Sequence, residues 1–289
     1  ARQIVRLTLL LANGETLTID RSHELFKAVV GGIGLLGIIL DATLQLKKIP
    51  SPFVEINRLP APNVDALLET MAQVEKSHDA AVVWVDAYAR GRKTGRSVIH
   101  AAKWIEHHAS ESDRRQILEA GYERLEKHRQ FGLALHEKFG PILSLILYAQ
   151  RPVMNLFNRL YYLGCRLALL TGYSSNTELF LRFGFEASFT VPPAHLVCGP
   201  HGYTVQLTFP RERAREAIVE LLGICRSSPC PPVTSILRVH KPDDCLISFS
   251  AEGYSLNFEF HPKKHSETAT RKAVDRLIDV TANRGGKIH

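Results

Sequence analysis

Cysteine is scarce in this sequence, and its pattern argues against two classes of site. The five cysteines of the 289-residue chain are odd in number, and none stands in a C-x-x-C pair. They are Cys165, Cys198, Cys225, Cys230 and Cys245. Such scattered thiols argue against a disulfide framework and a zinc site, and they favour reduced thiols in a cytoplasmic protein. The histidine and acidic pairs also lack metal-ligand spacing, so we expect no metal.

Three further features are missing. No block of lysine and arginine dominates, although the net charge is +7, so we expect no nucleic-acid partner. No G-x-S-x-G nucleophile motif is present. The apolar stretch 141–170 is interrupted by Pro152 and by arginines, so it does not read as a membrane span. It predicts either a buried helical pair or lid, or a helix that lies on a membrane surface.

Glycine is concentrated in residues 29–46, which read VVGGIGLLGIILDATLQL. Four glycines, at Gly31, Gly32, Gly34 and Gly37, are followed by an apolar run. Glycines permit positive φ and let backbone N–H groups approach a ligand. The pattern therefore predicts a bend that feeds a buried strand and cradles an anionic or planar part of a cofactor. A purely structural turn is the alternative, because the flanking order of helix and then strand is not that of a Rossmann fingerprint.

The chain before residue 50 reads as a small unit of its own. Residues 4–11 and 16–19 alternate as strands around Asn13-Gly14, which is a strong hairpin signal. Ser22 is the predicted N-cap of a short helix that ends at the glycines. The segment 49–52 contains two prolines, and we place a domain boundary there, giving domains 1–50 and 51–289.

The rest of the chain predicts two similar modules separated by a helical insertion at about 110–175, which begins with a charged helix at 110–138. The first module has strands at 53–59, 81–88 and 95–102, with a helix from Pro62 that buries an apolar stripe. The second has strands at 202–209, 233–240, 246–250 and 254–260, with helices at 211–226 and 266–284, and a strand begins again at 285. The helix at 266–284 is predicted to bury Ala269, Ala273, Leu277 and Val280 on one side. We therefore predict an α+β fold with ferredoxin-like modules, in which helices cover one face of a mixed antiparallel sheet.

The order of motifs in residues 13–43 resembles that of flavin-linked oxidases of the vanillyl-alcohol oxidase and p-cresol methylhydroxylase (PCMH) type. The matching residues are Asn13-Gly14, Leu25-Phe26, Gly31-Gly32, Gly34, Gly37-Ile38-Ile39 and Ala42-Thr43. The resemblance implies that residues 1–50 close a PCMH-type FAD-binding domain and that residues 51–289 form the substrate, or cap, domain. It also implies that the flavin-phosphate loop and one lysine lie outside this chain. We therefore expect a fragment that is inactive alone.

Four segments of the second part are similar to the decaprenylphosphoryl-ribose oxidase branch of that family. They are residues 82–99, 199–214, 235–241 and 253–260. The resemblance implies an FAD-dependent oxidation of a hydroxyl on a small-molecule or lipid-linked sugar, such as a cell-wall precursor. It is compatible with a cytoplasmic location and with peripheral membrane contact. Residues 189–199 depart from the family pattern, so this edge of the pocket is expected to differ.

The resemblance also suggests site residues. It implies that Gln206, Arg238 and Asn257 line the pocket as catalytic or substrate-binding groups, with Arg238 replacing a lysine and Asn257 a cysteine of the relatives. Tyr254 and His240 are weaker candidates. The residues expected to contact FAD are Gly32, Gly34, Gly37, Ile38 and Ile39. We expect this bend to lie close to a hollow beneath the sheet of the second module.

Two other functions stay open at this point. A sterol-type flavin reductase would run the hydride in the opposite direction, to a C=C bond, on the same fold. A non-catalytic membrane-peripheral binding module would instead use the apolar helices at 141–170.

Overall fold

The computed structural model describes residues 3–105, 151–172, 175–179, 202–262 and 266–289, with single helical positions between 112 and 126. At residue 151 and over 175–179 it describes the backbone alone. The predicted helix at 110–138 lies almost wholly outside these residues, and so do the first part of the predicted helix at 141–170 and the segment 189–199.

A small sheet forms from the first part of the chain. Its strands are β1 (Ile4–Leu10), β2 (Thr16–Asp20) and β3 (Ile38–Leu44), in the order β2-β1-β3, and both pairs are antiparallel. The predicted hairpin is confirmed, with a loop at 12–14 in which Gly14 has a φ of 85°. Leu7, Leu9 and Ile19 form a small core with Phe26 of the short helix α1 (Phe26–Val29).

Two predictions for this sheet are wrong. Ser22 does not cap a helix, because its N–H and hydroxyl both donate to the Asp20 carboxylate, and α1 starts only at Phe26. The apolar strand after the glycines is not buried, because every side chain of β3 is exposed. β3 is an edge strand of its sheet, and an apolar run predicts burial only where another element covers it.

A second, eight-stranded sheet contains the remaining strands in the order β11-β8-β10-β9-β5-β6-β4-β7, with every pair antiparallel. The strands are β4 (Phe53–Ala61), β5 (Ala80–Val85), β6 (Ser97–Trp104), β7 (Ser175–Leu179), β8 (Tyr203–Pro210), β9 (Thr234–His240), β10 (Gly253–Phe260) and β11 (Lys287–Ile288). The described helices around it are α2 (Val64–Ser77), α3 (Arg151–Leu170), α4 (Ala214–Ser227) and α5 (Glu267–Asn283).

The large sheet consists of two halves with the same strand order. Numbered within each half, β4 to β7 and β8 to β11 both lie in the order fourth, first, third, second. This is the strand order of a ferredoxin-like unit. The halves meet where β5 pairs with β9, at Val83 opposite Leu237 and Trp84 opposite Ile236. The predicted α+β class with an antiparallel sheet is confirmed.

Three of the helices cover one face of this sheet. Asn63 caps α2 by accepting a hydrogen bond from the N–H of Ala66, and α2, α4 and α5 pack on a core that includes Leu67, Leu221 and Leu277. The other face of the first half is covered by α3, where Tyr161 meets Trp84 edge-on with ring centroids 4.8 Å apart.

Two predictions for the second half need correction. Residues 246–250 form a loop and not a strand, because Asp243 accepts hydrogen bonds from the Cys245 N–H and the Ser248 hydroxyl. Such side-chain bonds compete with strand pairing. On α5, Ala269 is exposed, and the buried stripe contains Thr270 and Thr281 instead. Each of these hydroxyls donates to a backbone carbonyl four residues earlier, which permits its burial.

Candidate functional site

The candidate site is a polar row on the face of the sheet that α2, α4 and α5 do not cover. It contains Gln206 and Thr208 of β8, Arg238 and His240 of β9, and Ser255 and Asn257 of β10. These residues share one face because the register sets Gln206 opposite Asn257, and Ser255 opposite both Thr208 and Arg238. The neighbouring strand residues, such as Leu207, Leu237 and Leu256, point into the helix-covered core.

Three side chains of the row form a hydrogen-bonded cluster. The Nε2 atom of His240 lies 2.8 Å from the Ser255 hydroxyl, and the Gln206 amide nitrogen lies 3.2 Å from the same hydroxyl. The amide nitrogen and His240 Nε2 are 3.3 Å apart. Burial, and then the charge of Arg238, hold the pKa of His240 below its ordinary value. A neutral imidazole can accept the hydroxyl hydrogen of Ser255 at Nε2.

Two other polar atoms of the row are buried without a partner. The hydroxyl of Thr208 and the amide oxygen of Asn257 have no hydrogen-bond partner among the described residues. Thr208 is fully buried. Most buried polar atoms are hydrogen-bonded, and leaving one unpaired costs stability. Each of these two atoms therefore has hydrogen-bonding capacity that the described residues leave unused.

We expect Thr208→Val to raise the free energy of unfolding by about 1 kcal/mol, because it removes an unpaired buried hydroxyl with little change of shape. Urea unfolding at neutral pH measures this change. Thr270→Val is the matched control, because Thr270 is equally buried but its hydroxyl donates to the Ser266 carbonyl at 2.9 Å. The control is expected to lose about 1 kcal/mol. Equal losses in both variants would show that Thr208 is satisfied in solution.

The predicted cofactor residues lie together in the glycine bend, but packing explains two of them. A side chain at Gly32 would come within 2.2 Å of the Ala28 carbonyl oxygen, and one at Gly37 within 2.7 Å of the Leu10 carbonyl oxygen. Glycine is therefore required there by the chain itself. Ile38 and Ile39 are 65% and 51% exposed on β3.

The remaining part of the bend is open. Gly34 has a φ of 74° and no atom within 4 Å of where a side chain would begin. Ile33 is 83% exposed and has a φ of 55°. Among the described residues, it is the non-glycine residue with a positive φ. A β-branched residue rarely adopts this conformation, and strained residues of this kind cluster at ligand-binding sites.

The loop at 241–252 connects the bend to the polar row. At one end, the Leu246 N–H donates to the Lys27 carbonyl, and Lys27 forms an ion pair with Asp244 at 2.9 Å. At the other end, the ring of Phe249 meets the His240 ring edge-on, with centroids 5.5 Å apart. The bend is thus exposed at its tip but is held next to the loop that borders the polar row.

A second polar cluster lies beneath α3 and fixes this helix to the sheet. The buried carboxylate of Asp86 accepts hydrogen bonds from Arg96, from the Tyr88 N–H and from the Asn158 amide of α3. The Tyr161 hydroxyl lies 2.9 Å from His100 Nε2. These contacts position α3 over the first half of the sheet.

The structure brings together the predicted residues Gln206, Arg238 and Asn257 and adds others that sequence reasoning missed. Ser255 and Thr208 belong to the same face, and His240 is hydrogen-bonded within it. The sequence signal for Ser255 and Thr208 is the alternation of polar and apolar residues in the segments YTVQLTF of β8 and SLNFEF of β10. Tyr254 points the other way and donates its hydroxyl to Glu75, 2.9 Å away.

The described residues also bear on metal binding and on crossing a membrane. Among the described residues, no three His, Cys, Asp or Glu side chains gather where they could hold a metal ion. None of the described helices has the length and apolar character needed to cross a membrane.

No family model matches the chain. A Streptomyces coelicolor protein described as an uncharacterized protein in the mprA 5' region is 37% identical to it over 102 residues. That similarity covers 35% of this chain and 28% of the length of the other protein. That description states no activity.

Proposed function

We propose that this chain is the substrate-binding part of an FAD-dependent oxidoreductase that oxidises a hydroxyl of a sugar or sugar-like, lipid-linked substrate. The resemblance of residues 13–43 and of the strand segments supports this proposal. The observation that carries it is the polar row, in which two buried acceptor or donor atoms lack a partner among the described residues. A polyhydroxylated ligand at the row would supply a hydroxyl group to the half-buried Asn257.

The described residues fit a flavin at two places. At Ile33 and Gly34 the backbone is uncovered and has positive φ, so its polar groups can approach a phosphate or a ring edge. Gly32 and Gly37 support the bend from within, and Ile38 and Ile39 offer exposed apolar surface beside it. When bound, FAD supplies a hydride acceptor for the carbon that carries the oxidised hydroxyl.

The chain's own residues would bind and orient the substrate. The Asn257 amide oxygen accepts a hydrogen bond from a sugar hydroxyl, and the Gln206 amide nitrogen is held in place by Ser255. The exposed Arg238 guanidinium can bind a phosphate group in bidentate fashion. His240 positions the Ser255 hydroxyl, which lies 2.8 Å from its Nε2 atom.

The test is anaerobic reduction of bound flavin. Purified protein that contains this chain is loaded with FAD and mixed with a polyprenyl-phosphoryl sugar, and the visible flavin absorbance is followed. We expect bleaching, and we expect Arg238→Gln to weaken binding of the phosphorylated substrate roughly tenfold, because a charge-assisted hydrogen bond is lost. FAD affinity, measured by quenching of flavin fluorescence, should be unchanged in this variant.

The matched control is Arg215→Gln, because Arg215 lies on α4, on the opposite face, and pairs with Asp65. It should leave bleaching and substrate affinity unchanged. Flavin that binds but is not bleached by polyprenyl-phosphoryl sugars, sugar phosphates or sugar alcohols would contradict the oxidation. If chemically reduced flavin were instead reoxidised by a substrate with a C=C bond, the reductase would replace it.

A further inference from the structure

An apolar stripe runs along the outer side of α3. It consists of Leu156, Leu160, Leu163, Leu167 and Leu170, which are 48–74% exposed. Their spacing of three or four residues places them on one face of the helix. Isolated exposed leucines are ordinary on protein surfaces, but a continuous apolar stripe marks an interaction site.

The stripe is not needed to hold α3 on the sheet. The inner side of the helix carries Met154, Asn158 and Cys165, which are only 6%, 5% and 8% exposed. Asn158 is hydrogen-bonded to Asp86, and Tyr161 to His100. One side of the helix is therefore fixed to the sheet, and the side with the leucine stripe is exposed.

The charges of α3 indicate what the stripe meets. Residues 151–170 include three arginines and no acidic residue. Arg159 and Arg166 are exposed, and each follows a stripe leucine by three residues, so both lie on the same flank. Arginines beside an apolar face are typical of a helix that lies in the interface of an anionic membrane. A second copy of α3 would bring only like charges and offer no acidic partner.

We propose that α3 lies flat on an anionic lipid bilayer, with the leucine stripe in the acyl boundary and the two arginines at the headgroups. The polar row is on the same face of the sheet as α3, because Trp84, which contacts Tyr161, pairs directly with Ile236 of β9. A membrane at α3 would thus be on the side from which a lipid-linked ligand reaches the row. Membrane binding itself does not depend on the proposed function.

Vesicle co-flotation tests this surface. The full chain is mixed with vesicles of phosphatidylcholine containing about a third phosphatidylglycerol, and the bound fraction is measured at low and high salt. Leu160→Asp/Leu163→Asp should reduce the partition constant at least tenfold, since two apolar side chains that would lie in the bilayer become charged. Arg159→Gln/Arg166→Gln should reduce it about fivefold per arginine at low salt, and this loss should shrink at high salt.

Val219→Asp is the matched control, because Val219 is exposed on α4, on the opposite face of the sheet. It should bind vesicles as the unmodified chain does, and thermal unfolding verifies that all variants fold. As a second measurement, Leu163→Trp fluorescence should be quenched by brominated lipids, whereas Val219→Trp should not. No flotation of the unmodified chain, equal loss in the control, or a dimer that Leu160→Asp/Leu163→Asp converts to a monomer would overturn the proposal.

Discussion

Replacing Asp86 with alanine is expected to lower the free energy of unfolding by roughly 3–5 kcal/mol, the cost of leaving a buried charge without its partner. Asp86 is fully buried, and Arg96 is only 7% exposed. The carboxylate also accepts hydrogen bonds from the Tyr88 N–H at 2.9 Å and from the Asn158 amide at 2.8 Å. The substitution therefore leaves the Arg96 guanidinium without its carboxylate partner. It also removes the hydrogen bond from Asn158 that holds α3 on the sheet.

Urea unfolding at neutral pH measures the loss. Asp65→Ala is the control, because Asp65 forms an exposed ion pair with Arg215, and such pairs contribute at most about 1 kcal/mol. The double variant Asp86→Leu/Arg96→Met should recover much of the loss, because it removes both charges and fills the space. A single-variant loss no larger than that of Asp65→Ala would mean that the Asp86 site is hydrated and not buried.

Acidification is expected to remove roughly 3 kcal/mol of stability through His100 alone as the pH falls from about 6.5 to about 4. Burial, and then the charge of Arg58, lower the pKa of His100 from 6.5 to about 4. Between these values the unfolded chain binds a proton that the folded chain excludes, so protonation favours unfolding. Above pH 6.5 the imidazole is neutral in both states and the contribution is complete.

The measurement is urea unfolding across this pH range in the unmodified chain and in His100→Gln. Glutamine retains an acceptor for the Tyr161 hydroxyl but does not titrate, so the difference between the two pH profiles isolates His100. Other histidines and carboxylates contribute equally to both profiles. Parallel profiles would show that His100 is protonated in the folded protein without cost, and would contradict its burial against α3.

Local apolar patterns predicted an element correctly where another element packs against its apolar side. The apolar spacing in α2 gave the helix as observed, because α2 covers the sheet with the predicted side. The same reasoning failed for β3, where an apolar run lies at a sheet edge with every side chain exposed. Burial depends on what packs against a strand, and the strand's own residues do not contain that information.

Local hydrogen bonds caused two other errors. Ser22 resembles an N-cap, but Asp20, two residues earlier, binds its N–H and hydroxyl. Residues 246–250 resemble a strand, but Asp243 and Ser248 bind each other and the adjacent backbone. In each case a nearby carboxylate competes for the donor that the predicted element needs.

The candidate site was only partly predictable because it depends on strand register. Gln206 and Asn257 interrupt apolar strands and could be identified from sequence. That they lie directly opposite each other, with Ser255 between Thr208 and Arg238, follows from the pairing of β8, β10 and β9. Long-range pairing of this kind is not encoded in any single segment.

The two halves of the large sheet share a topology but differ in how many of their faces are enclosed. In the first half both sides are occupied: Ile56 and Ala102 lie under α3, while Ile99 and Ala101 belong to the helix-covered core. In the second half no described helix covers the side that carries the polar row, and the loop at 241–252 borders it. Substitutions that face α3 in the first half are therefore expected to disturb a helix, whereas substitutions in the polar row leave every described helix in place.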